Sequence, residues 1–259
     1  MPEQAVKLGP RLAAVAAHVP DGAFLGDIGT DHALLPIYLV LRGVIPSAIG
    51  TDIRGGPLDA GRRNIARRGL SGRIALRQGD GLAPFRGGEA DAVTVAGMGG
   101  GLMLEILDPR REALAGARTL ILQPQGGESG LRRALLARNW RLAAEELTEE
   151  KGRIYTVMRW ERGAATDQPG TPSAAAADGG CADAAVRRFP EVWAEYGPLL
   201  PAAGGPLFRR VLQAERGRMR RAAAALGSAT GAAARERLGE LRRRAEIWEE
   251  MESWLYPSD

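Results

Sequence analysis

Cysteine, histidine and lysine are nearly missing from this 259-residue sequence, which has one, two and two of them. The lone Cys181 excludes an intrachain disulfide, and with it a small disulfide-stapled secreted scaffold. His18 and His32 beside one cysteine are too few for a His/Cys zinc site, so no metal is expected. No apolar run reaches the roughly eighteen residues that a membrane-spanning helix needs. Met1 to Lys7 lacks the basic-then-apolar order of a signal peptide, and a cytoplasmic protein is the plain expectation. With 45% hydrophobic and 25% charged residues, the chain is also neither collagen-like nor disordered throughout.

Lysine scarcity makes arginine the basic residue: 33 of the 35 cationic side chains, in a chain of formal net charge +4. A GC-rich coding sequence produces the same bias, so the distribution says more than the total. Between Arg54 and Arg77 seven arginines (54, 62, 63, 67, 68, 73 and 77) face one acid, Asp59. Such a patch attracts a polyanion.

Short apolar or alternating runs bounded by Gly, Pro or Asp predict strands at 23–28, 47–53, 73–78, 90–96 and 117–123. Helical patterns fall between them at 34–42, 57–69, 102–107 and 129–139. This alternation predicts an α/β fold with a parallel sheet covered on both faces. Segments 141–147 and 153–160 are separated by Thr-Glu-Glu-Lys-Gly, too short for a helix, and predict an antiparallel hairpin at the sheet edge. Composition then shifts. Residues 163–185 are mostly Ala, Gly, Pro, Ser and Asp without a large apolar side chain, and read as a flexible linker. The expected division is 1–162, a linker at 163–186, and 187–259. In the last part, helices at 206–226 and 232–255 predict an antiparallel helical hairpin. Leu238, Leu241, Ala245, Trp248, Met251 and Leu255 form a coiled-coil-like seam. Glutamates interleave with its arginines, so its charged faces read equally as solvated surface.

Four loops carry the chemistry. Gly26-Asp27-Ile28-Gly29-Thr30-Asp31-His32 is a strand–turn–helix junction of the kind where open α/β sheets bind nucleotides. The dinucleotide fingerprint is broken because Asp31 stands where a second glycine falls. An acid there suits a ligand with a positive amino group better than a pyrophosphate. Asp52 ends the second strand, 23 residues after Gly29, at the place of an acid that binds ribose hydroxyls. Gly79-Asp80-Gly81-Leu82 follows the third strand, where Asp80 can accept from an adenine amino group and Leu82 can pack on its ring. Ala96-Gly97-Met98-Gly99-Gly100-Gly101 follows the fourth. No Lys-Ser/Thr follows these glycines, which excludes a P-loop. A tight turn or a helix cap accounts for any one of the four alone; together they point to a nucleoside.

The stretch from Asp27 to Pro36 (DIGTDHALLP), with Gly79–Leu82, Ala96–Gly100 and Leu122-Gln-Pro124, resembles the bacterial TrmK family of tRNA (adenine-22-N1)-methyltransferases. Glu195–Leu200 and Pro206-Leu-Phe208 resemble that family's entry to its C-terminal helices. The likeness covers residues 8–160 and about 189–255. The linker is longer than the family's, and Gln125 stands where the family tends to place Asn. The resemblance implies a Rossmann-like class I methyltransferase sheet, S-adenosylmethionine as cofactor and tRNA as partner. By position, Gly29 and Asp31 would serve the methionine end and Asp52 the ribose, with Asp27 and Ile53 also among the cofactor contacts. Asp80, Gly81 and Leu82 would serve the adenine, and Gly97 and Met98 the sulfonium side. Asp31 and His32 are the catalytic candidates, and Arg62, Arg63, Arg67 and Arg68 the candidate RNA contacts. A monomer is the simplest expectation. Two rival readings are a small-molecule methyltransferase on the same fold and a non-catalytic RNA-binding module.

Overall fold

The computed structural model describes residues 6–108, 112–163, 188–189, 195–227 and 231–257. The chain divides into two compact units, 1–171 and 172–259. The predicted linker beyond Gly163, Cys181 included, lies outside the described residues.

In the first unit the elements run α1 (Pro10–Ala17), β1 (Phe24–Ile28), α2 (Leu34–Leu41), β2 (Ser47–Asp52), α3 (Gly55–Ala66), β3 (Ile74–Gln78) and β4 (Ala92–Met98). They continue with α4 (Gly100–Ile106), a 3-10 turn (Glu112–Leu114), β5 (Thr119–Pro124), α5 (Glu128–Ala137), β6 (Trp140–Glu150) and β7 (Arg153–Arg162). The seven strands form one sheet in the order β3-β2-β1-β4-β5-β7-β6. The first five are parallel, and β7 and β6 add antiparallel strands at one edge. This is the parallel sheet that the alternation predicts, in the Rossmann-like form that the resemblance implies. The chain winds outward from β1 to β3 and returns to β4 on the other side of β1. That reversal opens a crevice at the strands' carboxyl ends.

Parallel strands covered on both faces are apolar along their whole length. All six residues of β5 are buried. Leu120 and Leu122 join a core with Ile28, Val93, Val95, Met103, Leu131, Leu135 and Trp160. Ile121, between them, faces the opposite core of Val15, Leu25, Ile37, Leu39, Ile45 and Val157.

Helix α1 is absent from the sequence reading. It has only eight residues, near the length at which an isolated helix is marginal, and its signal is slight: Gly9, then Pro10 in the first turn. Burial of Val15 and Ala16 holds it against the sheet. The edge hairpin is longer than predicted. Its strands run to Glu150 and from Arg153, leaving a two-residue turn. Lys151 (φ 51°) and Gly152 (φ 76°) both take the left-handed conformation that a type I′ turn requires.

In the second unit, α6 (Leu199–Ala203) precedes α7 (Pro206–Leu226) and α8 (Ala232–Leu255). Pairs between α7 and α8 run in opposite directions: Arg209 and Gln213 meet Glu252, while Arg220 meets Glu249. The two helices are therefore antiparallel. Leu241, Ala245, Trp248 and Met251 are the buried part of the predicted seam, with Leu238 and Leu255 half-buried. Tyr196 packs edge-on against Phe208 and Trp248.

Candidate functional site

The first loop is held in an unusual backbone shape. Gly29 (φ 70°), Asp31 (φ 52°) and Ala33 (φ 57°) are all left-handed. A glycine is needed at the first, where a Cβ would also stand 2.4 Å from Met98 Cε. The end of β2 pins this loop. The amides of Gly29 and Thr30 donate to the Thr51 carbonyl at 2.8 and 2.9 Å. The Asp31 amide donates to Asp52 Oδ2 at 3.3 Å, and the Arg54 amide donates to Oδ1 at 2.9 Å. The Thr51 hydroxyl donates to the Gly81 carbonyl at 2.9 Å and ties in the third loop. In the fourth, the strand irregularity between Ala96 and Met98 surrounds Gly97 (φ 79°).

These loops enclose a cleft of about 460 Å³ at the carboxyl ends of β1 to β4. Of the residues singled out in the sequence, Gly29, Asp52, Ile53, Asp80, Gly81, Gly97 and Met98 line it. Ile28, Gly79 and Ala96 of the same loop motifs line it too, and so do Thr51, Arg54, Leu102 and Ile106, which those motifs do not contain. Exposed Ile53 and Leu102 offer it apolar surface. Leu102, just past the glycine run, is legible only as an apolar residue that its helix leaves unburied.

Four predicted residues do not line the cleft. Leu82 is 1% exposed and packs into the core with Phe85 and Ile106, because the turn after Gly81 sends its side chain inward; it is not a ring-packing surface. Asp27 is buried within β1, behind Ile28, and accepts from the Thr94 hydroxyl at 2.6 Å. Burial pushes its carboxyl up from 3.8 to about 6, although the Thr30 and Thr94 hydroxyls pull the other way. Asp31 touches the site through its backbone, while its side chain is exposed. The His32 side chain is exposed as well, with Nε2 3.8 Å from Asp31 Oδ2, and its carbonyl accepts from Asn64 Nδ2 of α3 at 3.2 Å.

The arginine patch is smaller than its sequence count. Arg77 makes a two-pronged pair with Glu89 at 2.6 and 2.9 Å, and Arg73 donates to the carbonyls of Ile45 and Pro46. Both serve the fold. On α3 and just past it, Arg62, Arg63 and Arg67 are exposed, with Arg62 paired to Asp59, while Arg68 donates to the Asn64 carbonyl. In the second unit, Arg209, Arg216, Arg218, Arg220 and Arg244 all pair with glutamates. Among the described residues no group of three or more His, Cys, Asp or Glu could hold a metal, and no helix is long and apolar enough to cross a membrane.

Residues 8–158 match the family model of a methyltransferase domain. A Bacillus subtilis (strain 168) tRNA (adenine(22)-N(1))-methyltransferase is 42% identical over 158 residues, 61% of this chain and 66% of that protein. A Mycoplasma pneumoniae protein named "Putative tRNA methyltransferase" is 30% identical over 142 residues, 55% of this chain and 65% of that protein, so the chain spans just under two thirds of the length of these curated relatives. Structural superposition reaches further. The crystal structure of the B. subtilis m1A22 tRNA methyltransferase TrmK matches with a TM-score of 0.79 at 31% identity, over 95% of this chain and 99% of that one. A Streptococcus pneumoniae protein solved with S-adenosyl-L-methionine matches with a TM-score of 0.75 at 31% identity, over 93% and 97%. The chain belongs to the methyltransferase-domain family, and within it to the group of the TrmK tRNA m1A22 methyltransferases.

Proposed function

We propose that this chain transfers a methyl group from S-adenosylmethionine to N1 of adenine 22 in tRNA. The observation that carries the reading is the cleft: four loops at parallel strand ends, with buried Asp52 closing the second strand, in a chain that matches a tRNA m1A22 methyltransferase almost end to end. The residues present fit the cofactor. The volume lies within the range of small-molecule sites, Gly29 and Gly97 leave the floor bare, and Ile53 with Leu102 offers apolar surface to a flat base.

In this reading Asp52 accepts from ribose hydroxyls, since each carboxylate oxygen has one amide donor and keeps a free lone pair. Asp80 and Gly81 serve the adenine, and Gly29, Gly97 and Met98 border the sulfur. Asp27 and Asp31 supply negative charge toward the methionine ammonium. When bound, S-adenosylmethionine supplies a methyl on a cationic sulfur, which the adenine N1 lone pair takes in line, the carbon–sulfur electron pair staying on sulfur and the base becoming the cation. No proton has to leave first, so the chain's part is orientation and tolerance of a positive ring. Asp31, with His32 beside it, is the catalytic candidate, as a carboxylate near the exocyclic amine.

Residues 1–162 carry this chemistry, while 187–259 and the exposed arginines 62, 63 and 67 meet RNA phosphates. A buried target base must be extruded first. A tRNA-modifying role places the protein in the cytoplasm. The test is methyl transfer from labelled cofactor to unmodified tRNA bearing A or G at position 22, with the modified nucleoside identified. N1-methyladenosine only with A is the expected result. Transfer to a free metabolite without tRNA would favour the small-molecule reading, and RNA binding without transfer the non-catalytic one.

A further inference from the structure

The space beside Gly97, at the end of β4, has two polar neighbours. A Cβ on Gly97 would meet only Arg11 Nη1 and Gln125 Nε2, each at 3.7 Å. Gln125 follows Pro124, the last residue of β5, and its amide donates to the Met98 carbonyl at 2.8 Å. Its backbone is therefore fixed to the strand end that carries Gly97 and Met98 into the cleft.

Two glutamines two residues apart on this segment differ sharply. Gln123 is fully buried, and its carboxamide is used at both ends: Oε1 accepts from Arg11 Nη1 at 2.7 Å and Nε2 donates to the Pro124 carbonyl at 2.7 Å. Gln125 is exposed, and its carboxamide makes no hydrogen bond among the described residues. Arg11 is occupied by Gln123 and lies 3.7 Å from Glu150, so its charge is offset. The free polar group at this point is the Gln125 carboxamide.

We infer that Gln125 reads the acceptor base through the edge that carries N6 and N7. This inference rests on the reading of the chain as an adenine-N1 methyltransferase. A carboxamide offers one acceptor and one donor side by side, which match the N6 amine and N7 of adenine. Pairing there leaves N1 free to attack. A pairing through the Watson–Crick edge would occupy the nucleophile. Guanine presents two acceptors, O6 and N7, on the same edge, so the carboxamide oxygen would face O6 unpaired. The contact also favours the reaction itself. As the ring becomes cationic, its N6 hydrogens become better donors, and the bond to Gln125 strengthens in the transition state.

The test uses the full chain and tRNA assembled with adenine or 7-deazaadenine at the target position, which removes N7 alone. Wild-type kcat/KM should fall about tenfold with 7-deazaadenine, the low end of a two-point base contact. Gln125→Ala should lose tenfold or more with adenine, partly in kcat, and should no longer distinguish the two bases. Gln125→Asn should recover part of the loss. S-Adenosylmethionine affinity should stay unchanged in both variants, which also shows that they fold. An equal 7-deaza effect in wild type and Gln125→Ala, or full activity of Gln125→Ala, overturns the inference and leaves the methyltransferase reading standing. A wild-type protein that binds the cofactor and methylates no adenine in tRNA overturns both.

Discussion

Asp27 is a carboxylate buried in the middle of a sheet, with only the hydroxyls of Thr30 and Thr94 set against its burial. Its carboxyl titrates near 6 in the fold, against 3.8 as its ordinary value, and that gap corresponds to about 3 kcal/mol of strain on the charged form. The sign follows from the direction. The folded protein holds the proton more tightly, so stability falls as pH rises from about 4 to about 6, and the full cost is present above that window. Asp27→Asn keeps an acceptor for Thr94 and removes the charge. It should raise stability by about 2 kcal/mol at pH 8 and by almost nothing at pH 4, measured by denaturant titration at both. The same variant should bind S-adenosylmethionine more weakly, because a buried negative charge favours a cationic ligand; a gain in affinity would contradict that role. Asp52 instead faces the cleft and accepts from two backbone amides. Asp52→Ala should weaken cofactor binding by about a hundredfold or more, since each hydrogen bond to a charged group contributes about 1.5–3 kcal/mol. Calorimetry showing unchanged affinity would remove Asp52 from the site. Both acids were legible in the sequence because they end or interrupt apolar strands. Leu82 was misread because a turn residue's direction depends on the backbone after Gly81, which no spacing rule supplies.

Among the elements, α3 carries the exposed part of the basic pattern, and the proposed RNA contact is tested there. Arg63 and Arg67 are exposed and four residues apart, hence on one face. Replacing both with alanine should weaken tRNA binding and reduce the slope of log affinity against log salt by about two, with transfer at saturating tRNA largely preserved. An unchanged slope would remove this face from the RNA contact. The edge hairpin is held differently. Arg132 of α5 and Glu145 of β6 form a buried pair, with contacts at 2.9 and 2.5 Å. Burial pushes Glu145 up to about 7, against the pull of Arg132. Arg132→Met should cost about 3–5 kcal/mol near pH 8 and less at pH 5, where the abandoned carboxyl takes a proton. Denaturant titrations at the two pH values check this, and a cost independent of pH would count against it. Strand existence here was readable from the five-residue gap at 148–152, too short for a helix between the two segments. Strand length was not, because Thr148 to Glu150 look like loop until cross-strand partners at Ile154 and Tyr155 pair with them.

At the scale of the whole molecule, the first unit holds both hydrophobic cores that cover its sheet, along with every residue lining the cleft. A chain ending at Gly163 should therefore fold cooperatively and bind S-adenosylmethionine with near-normal affinity, seen as a thermal shift on adding the cofactor. It should lose tRNA affinity if 187–259 contributes phosphate contacts, and filter binding at low salt would detect that. Retained tRNA affinity would confine RNA recognition to the first unit.

The alternation of strands and helices, the two long C-terminal helices and the acids at the strand ends followed from local pattern, because burial on both faces of a parallel sheet demands apolar runs, and loops after them need Gly and Asp. Long-range packing settled the rest. It recruited an eight-residue helix too short to signal itself, turned Arg73 and Arg77 from a surface patch into internal ties, and set Gln125 beside Gly97 across two strands. Each of these depends on partners far away in the chain, and periodicity within a segment carries no record of what lies on the next strand.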